Sequence, residues 1–128
     1  TRTMPDFDLR EIHKAVSIYF DGLYEGDAEK LASVFHPAAS LTYLAEGTVK
    51  VLPRDEWLTA VRGRVKPKDA GLERLDRILS VDVAGPDMAF VKVACQMPPR
   101  YFTDYLSLLR VDGKWLVAQK VYSTEKRA

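Results

Sequence analysis

The sequence predicts an α+β fold in which helices pack on one face of an antiparallel sheet. Two observations indicate this class. Apolar residues recur at helical spacing in the first half of the chain, whereas the second half is rich in strand-like runs separated by tight-turn signals. The chain has 128 residues, and single domains most often contain about 100–150 residues. We therefore expect one domain over residues 1–128.

Two helices are expected at the start of the chain. From Ile12 to Leu23, apolar residues follow the spacing of an amphipathic helix, which ends at Gly26. Asp27 is a favourable N-cap for a second, shorter helix that carries Phe35 in its last turn. Pro37 closes that helix because proline restricts the residue before it.

A hairpin and a third helix are predicted next. Leu41–Leu44 and Thr48–Val51 are short strands on either side of Glu46–Gly47, which is a hairpin signal. Pro53–Val61 is predicted to be helical because proline suits the first turn of a helix.

The rest of the chain is predicted to form strands. Leu72–Val83 ends as a strand, and Met88–Met97, Tyr101–Val111 and Lys114–Tyr122 follow. Asp112–Gly113 is the strongest hairpin signal, because both central positions of a type I′ turn need a positive φ.

This last hairpin predicts which side chains share a face of the sheet. An uninterrupted register places Tyr105 opposite Lys120 and Ser107 opposite Ala118. The expected faces are Thr103, Tyr105, Ser107, Leu109, Ala118, Lys120 and Tyr122 on the pocket side, and Asp104, Leu106, Leu108, Trp115, Val117, Gln119 and Val121 on the other. Because both faces carry apolar side chains, we expect helices to cover one and a second copy of the chain to cover the other, giving a homodimer.

Composition argues against several function classes. The formal net charge is +1, so the basic excess of a nucleic-acid-binding domain is missing. No apolar run approaches the roughly 20 residues that span a bilayer. One Cys and two His argue against a zinc site, and no phosphate-binding loop indicates a cofactor. No signal-peptide pattern is visible, so a cytoplasmic protein is the expectation.

Several segments together resemble a known superfamily. They are Tyr19–Leu23 with Gly26–Asp27, Phe35–Ala39, Thr103–Leu106 with Leu108–Leu109, Gly113–Trp115 and Lys120–Tyr122. In this order they resemble the nuclear transport factor 2-like superfamily, and within it the family labelled putative lumazine-binding. The resemblance implies a cone of cystatin-like fold, in which three helices precede most of the strands and a curved sheet wraps the long helix.

Ketosteroid isomerase, a member of the same superfamily, implies roles for three positions. Its oxyanion-binding Tyr falls on Tyr19, its general-base Asp on Tyr43, and its protonated Asp near Ser107. A Tyr with an ordinary pKa of about 10 cannot replace an Asp as general base at neutral pH. The resemblance therefore implies where the pocket lies. It does not supply the general base that the ketosteroid isomerase reaction needs.

Three residues are candidates for catalysis. Tyr19 could point its hydroxyl into the cone as a donor, or lie in the core with that hydroxyl bonded to a neighbour. His36 could be a general base, but we favour a histidine that bonds free carbonyls at a helix end. Asp104 is expected at the subunit interface in an ion pair, unless a bulge near Pro98–Pro99 turns it to the pocket.

Other side chains are candidates for ligand binding. Lys120 could hold an anionic or carbonyl ligand, or reach water from the end of the sheet. The basic stretch from Arg62 to Arg77 could bind an anion at the mouth of the cone, although we favour a solvated loop. The predicted ligand-binding residues are Phe35, Tyr43, Trp57, Tyr105, Ser107 and Lys120.

These observations favour a protein that binds a small molecule in a cone-shaped pocket, without a cofactor or metal. Two alternatives stay open. One is a cofactor-independent isomerase, dehydratase or cyclase that acts on a carbonyl compound. The other is a dimeric interaction module whose core is filled.

Overall fold

The computed structural model describes residues 6–127, and the side chains from residue 9 onward. Its elements are the helices α1 (Asp6–Glu25), α2 (Ala28–Val34) and α3 (Arg54–Gly63), and the strands β1 (Phe35–Ala45), β2 (Thr48–Pro53), β3 (Asp76–Ala84), β4 (Met88–Met97), β5 (Arg100–Val111) and β6 (Lys114–Lys126). The strands form one curved, unclosed sheet in the order β2-β1-β6-β5-β4-β3. Only β1 and β6 pair in parallel within this sheet. The predicted α+β class is confirmed.

The junction between α2 and β1 differs from the prediction. Asp27 caps α2 as expected, since its Oδ1 accepts the N–H groups of Glu29 and Lys30 at 3.1 Å. The helix ends at Val34, however, and Phe35 already has the extended backbone that begins β1. The expected helical turn through Phe35 to Pro37 is therefore wrong. The chain before Pro37 is extended, which is the conformation that a following proline favours.

Both hairpins form where turn chemistry predicts them. Glu46 and Gly47 have φ values of 51° and 77°, and Asp112 and Gly113 have the same two values. Positive φ at both central residues is the pattern of a type I′ turn. The second turn pairs Val111 with Lys114, as expected.

A β-bulge in β6 interrupts the predicted register. Leu108 pairs with Val117, whereas the preceding residue, Ser107, pairs with Gln119. Ala118 is therefore the extra residue on β6, with no partner of its own on β5. A bulge shifts every later pair by one residue and so exchanges the faces of one strand relative to the other.

The bulge overturns the face assignment. Tyr105 pairs with Val121, and the expected pair of Tyr105 with Lys120 is wrong. Asp104 is 1% exposed and Lys120 is 6% exposed, and both point to the concave side of the sheet. Asp104 therefore lies on the same face as Lys120, and its expected position on the outer face is wrong.

The helices fill much of the concave side of the sheet. The largest fully buried side chains are Tyr19, Phe35, Ile12, Leu31, Leu41, Leu106 and Leu108. Where α1 meets α2, Gly22 allows a close approach, since a Cβ there would lie 2.8 Å from the side chain of Leu31. Within residues 6–127, no helix is long and apolar enough to cross a membrane.

Candidate functional site

A cavity of about 280 Å³ remains between the helices and the concave face of the sheet. Side chains from α1, α3, the segment that leads into β3, and strands β4, β5 and β6 line it. Its volume lies just below the range of about 300–1,000 Å³ typical of ligand pockets. Aromatic walls are contributed by Phe20, Trp57, Phe102 and Tyr122. The cavity therefore has room for a small organic molecule.

The deepest polar contact joins α1 to β5. The hydroxyl of Tyr19 donates a hydrogen bond to Oδ2 of Asp104 over 2.5 Å. Both residues are almost completely buried. Burial, followed by the negative charge of Asp104, raises the pKa of Tyr19 well above its ordinary value of 10.0. Tyr19 is therefore a protonated hydrogen-bond donor at neutral pH.

Lys120 holds a positive charge beside this pair. Its Nζ lies 3.8 Å from Oδ2 of Asp104. The same Nζ lies 5.3 Å from the ring centroids of Tyr19 and Trp57, and 4.6 Å from that of Tyr122. A buried ammonium is costly unless it is paired, and here a carboxylate and three ring faces compensate its desolvation.

Asp104 also has an oxygen without a partner. Its Oδ1 is buried and accepts no hydrogen bond within the described part of the chain. The thiol of Cys95 lies 3.9 Å from the other oxygen, Oδ2. Burial, reinforced by the charge of Asp104, raises the pKa of Cys95 from 9.0 to about 12. Cys95 is therefore a protonated thiol and not an activated nucleophile.

Four of the sequence-predicted residues come together here, namely Tyr19, Trp57, Asp104 and Lys120. Two others support the wall from behind. Phe35 packs on Tyr19 and Trp57, with ring centroids 5.6 and 4.8 Å away. Tyr43 packs on Tyr122 at 5.1 Å, so it braces a lining side chain without lining the cavity itself.

Three predicted site residues lie away from the cavity. Tyr105 is 45% exposed, and Ser107 is also exposed, both on the outer face. Their expected position in the pocket is wrong because the Ala118 bulge exchanges the faces. His36 lies at the start of β1, where its Nδ1 accepts the N–H of Ala38 at 2.9 Å. It is neither a residue of a helix end nor part of the cavity lining.

The carboxyl group that the ketosteroid isomerase comparison implied near Ser107 has a counterpart elsewhere on the strand. Asp104 lies on β5 three positions before Ser107 and contacts Tyr19 directly. The difference arises because the position was counted along the strand without regard to which face each residue occupies. Asp104 is thus the carboxyl group that meets the helix tyrosine.

The lining residues that sequence reasoning missed include Cys95, Arg64 and Arg100. Arg64 belongs to the basic stretch that was expected to be a solvated loop. Its Nε is buried, so at this position the stretch turns into the cavity. The only available signal was the excess of basic residues over acidic ones in that stretch.

Comparison with known proteins identifies the family. A family model described as "Putative lumazine-binding" matches residues 8–123. The chain belongs to this family. The match covers all of the elements described above except the last residues of β6 and the first two of α1. No curated protein matches the chain.

Solved structures with the same fold span nearly the whole chain. An NTF2-like protein of unknown function from Shewanella baltica has 22% identity and a TM-score of 0.87, covering 98% of this chain and 100% of that chain. A ketosteroid isomerase-like protein from Erwinia carotovora atroseptica has 16% identity and a TM-score of 0.72, covering 94% and 98%. A protein named "Putative Scytalone Dehydratase" from Novosphingobium aromaticivorans has 18% identity and a TM-score of 0.68, covering 95% and 89%. At these identities the likeness shows the fold.

Metal binding finds no support in the side chains described. Among them, no three His, Cys, Asp or Glu residues come close enough together to hold a metal ion. The polar groups that line the cavity include phenols, carboxylates, an ammonium and guanidinium groups. These groups can donate and accept hydrogen bonds and can bind a charged or carbonyl-containing compound.

Proposed function

We propose that the protein binds a small organic molecule in the cavity between α1 and the concave sheet face. The observation that carries the proposal is the buried, unpartnered Oδ1 of Asp104. Leaving a buried polar atom unsatisfied costs about 1–3 kcal/mol, and more for a charged group. A ligand that donates a hydrogen bond to this oxygen would remove that cost.

The shape of the cavity and the family description also support binding. A filled interaction module would have little reason to keep about 280 Å³ beside a buried charge pair, because protein interiors are close-packed. The family description names lumazine, a compound with fused flat rings. Rings such as those of Trp57 and Tyr122 are suited to contact such a molecule.

Native mass spectrometry of the purified protein tests this proposal, followed by denaturing analysis of any compound carried along. We expect the wild type to retain a compound, or to bind added lumazine or a similar ring compound. Asp104→Asn, which keeps the size of the side chain, should lose the bound compound. Ser107→Asn, on the outer face of the same strand, should retain it.

The proposal fails if no compound is retained and calorimetry detects no binding from a panel of small ring compounds. It also fails if Asp104→Asn and Ser107→Asn bind equally well while both remain folded.

A second candidate is a cofactor-independent isomerase, dehydratase or cyclase that acts on a carbonyl compound. The short Tyr19–Asp104 hydrogen bond favours it. On substrate binding, the Tyr19 hydroxyl would turn from Asp104 and donate its one proton to the carbonyl oxygen of the substrate. The freed Asp104 carboxylate would accept a proton from the adjacent carbon and return it, or one exchanged with solvent, to the resulting enolate. Incubating the retained compound with the protein in heavy water tests this candidate. Deuterium should enter next to the carbonyl group with the wild type and not with Tyr19→Phe.

We also infer that a second copy of the chain covers the outer sheet face. Its exposed apolar side chains include Leu44, Val49, Val51, Phe90, Tyr105, Leu109 and Val121. A contiguous apolar patch on a sheet is a typical interface, and a two-fold dimer would bury the same patch on both copies. Light scattering should give twice the 14.5 kDa of one chain. Leu109→Asp should give the monomer mass, and a wild-type monomer at micromolar concentration would refute the dimer.

A further inference from the structure

The charges that line the cavity do not balance. Its lining contains four basic side chains and two carboxylates, namely Arg64, Arg74, Arg100, Lys120, Asp76 and Asp104. Asp76 forms an ion pair with Arg74 at 2.9 Å. Asp104 lies 3.8 Å from Lys120. Each carboxylate of the lining therefore already has its own basic partner.

Arg64 and Arg100 are the surplus cations. Neither forms an ion pair with any side chain that the structure describes, and the buried Nε of Arg64 has no hydrogen-bond partner there. Burial lowers the pKa of Arg64, and the positive charge of Arg100 acts in the same direction. Two guanidinium groups thus repel each other at one cavity, and a bound anion would offset both this repulsion and the burial.

The polar groups of the cavity differ in depth. Asp104 is 1% exposed, whereas Arg100 is exposed to solvent. Arg64 is intermediate in exposure. Flat aromatic walls, including Trp57 and Phe102, enclose the same space. A ligand that satisfies every group needs an anion toward the mouth, a flat body, and a hydrogen-bond donor at the deep end.

We propose that the ligand is a small planar carboxylic acid whose carboxylate binds Arg64 and Arg100 and whose hydroxyl or ring N–H donates to Asp104. The planar guanidinium of arginine presents paired N–H groups that match a carboxylate. This inference rests on the proposed small-molecule function and specifies the chemical class of the ligand.

Calorimetric titration with three related probes tests the class. The probes are para-hydroxybenzoate, its neutral amide para-hydroxybenzamide, and benzoate, which lacks the hydroxyl donor. We expect para-hydroxybenzoate to bind at least about tenfold more tightly than the amide, which corresponds to about 1.4 kcal/mol. Benzoate should also bind more weakly than para-hydroxybenzoate, because it leaves Oδ1 of Asp104 unpaired.

Two arginine variants separate the site from general charge. Arg64→Met should remove the preference for the acid over the amide. Arg62→Met is the matched control, because Arg62 lies in the last turn of α3, two residues before Arg64, is exposed, and pairs with exposed Glu29. It should keep the preference. If Arg64→Met does not fold, the same titrations are made with Arg100→Met, which changes an exposed residue. If Arg100→Met still prefers the acid over the amide, the inference is overturned.

The outcomes distinguish this inference from the function on which it rests. Equal binding of the acid and the amide to the wild type would overturn the carboxylate assignment and leave small-molecule binding intact. A retained neutral compound, with no binding of either acid, would do the same. Absence of any small-molecule binding would overturn both. An acid preference that Arg62→Met and Arg64→Met reduce equally would indicate general electrostatic attraction and would overturn the site.

Discussion

The two faces of β5 and β6 differ in where they hold charged and apolar side chains. On the concave face, Asp104 and Lys120 are buried among helices and aromatic rings. On the outer face, their strand neighbours Tyr105 and Val121 are 45% and 51% exposed. A sheet with one solvated face normally carries its charges outside. The concave face therefore encloses a buried charge pair within an apolar core, whereas the outer face exposes apolar side chains.

The largest effect is expected where a buried charge loses its partner. Lys120→Met leaves Asp104 in the core without its cation, which should cost about 3–5 kcal/mol of unfolding free energy. Lys92→Met is the matched outer-face change, since Lys92 lies 5.7 Å from the ring of Tyr105. It should cost about 0.5 kcal/mol or less. Denaturant unfolding measures both, and equal costs would contradict the contrast between the faces.

A neighbouring pair of leucines tests the same contrast with apolar side chains. Leu108 is completely buried, and Leu109 is 43% exposed on the outer face. Leu108→Ala should cost about 2–5 kcal/mol because it leaves a cavity in the core. Leu109→Ala should cost about 0.5 kcal/mol in dilute protein. If a second copy covers this face, the cost of Leu109→Ala should increase with protein concentration. Thermal unfolding at several concentrations makes the comparison.

Removing the tyrosine hydroxyls from the two faces should give a smaller difference. Tyr19→Phe removes the hydrogen bond to Asp104 and should cost about 1–3 kcal/mol, since it leaves a buried acceptor less satisfied. Tyr105→Phe removes an exposed hydroxyl and should change stability by about 0.5 kcal/mol or less. Chemical denaturation of the two variants measures this, and a neutral Tyr19→Phe would show that the hydrogen bond contributes little.

The effect that is smallest near neutral pH concerns the ionisation of Cys95, which changes stability only at alkaline pH. The pKa of Cys95 is raised from 9.0 to about 12, so the folded protein keeps this proton over a range in which the unfolded chain loses it. The resulting stability is fully present below pH 9 and is lost as the pH rises toward 12. One such group gives a slope of at most about 1.4 kcal/mol per pH unit. Cys95→Ser should flatten the slope most clearly near pH 9, where the unfolded thiol titrates and an unfolded tyrosine, with an ordinary pKa of 10.0, is still mostly protonated. An unchanged slope would contradict this assignment.

Local chemistry determined most of the fold. Helical spacing predicted α1, the Asp27 cap predicted the start of α2, and the two turns with positive φ predicted both hairpins. These signals depend on residues close together in the chain, so a single sequence contains them. The error at Phe35 arose because an apolar side chain can be buried from either a helix or a strand. Its apolar character alone therefore does not show where α2 ends. The family could also be recognised, since its segments lie in order along the chain.

Only the tertiary structure decided which polar side chains meet. Tyr19 and Asp104 are 85 residues apart, and no local pattern pairs them. Both faces of β5 and β6 carry apolar residues, so alternation did not distinguish inside from outside. The extra residue at Ala118 then reversed the assignment. A bulge changes hydrogen-bond register with little sequence signal, yet it determines which side chains are buried. The helices, strands and turns could therefore be predicted from the sequence, whereas the composition of the site depended on how the sheet and helices pack.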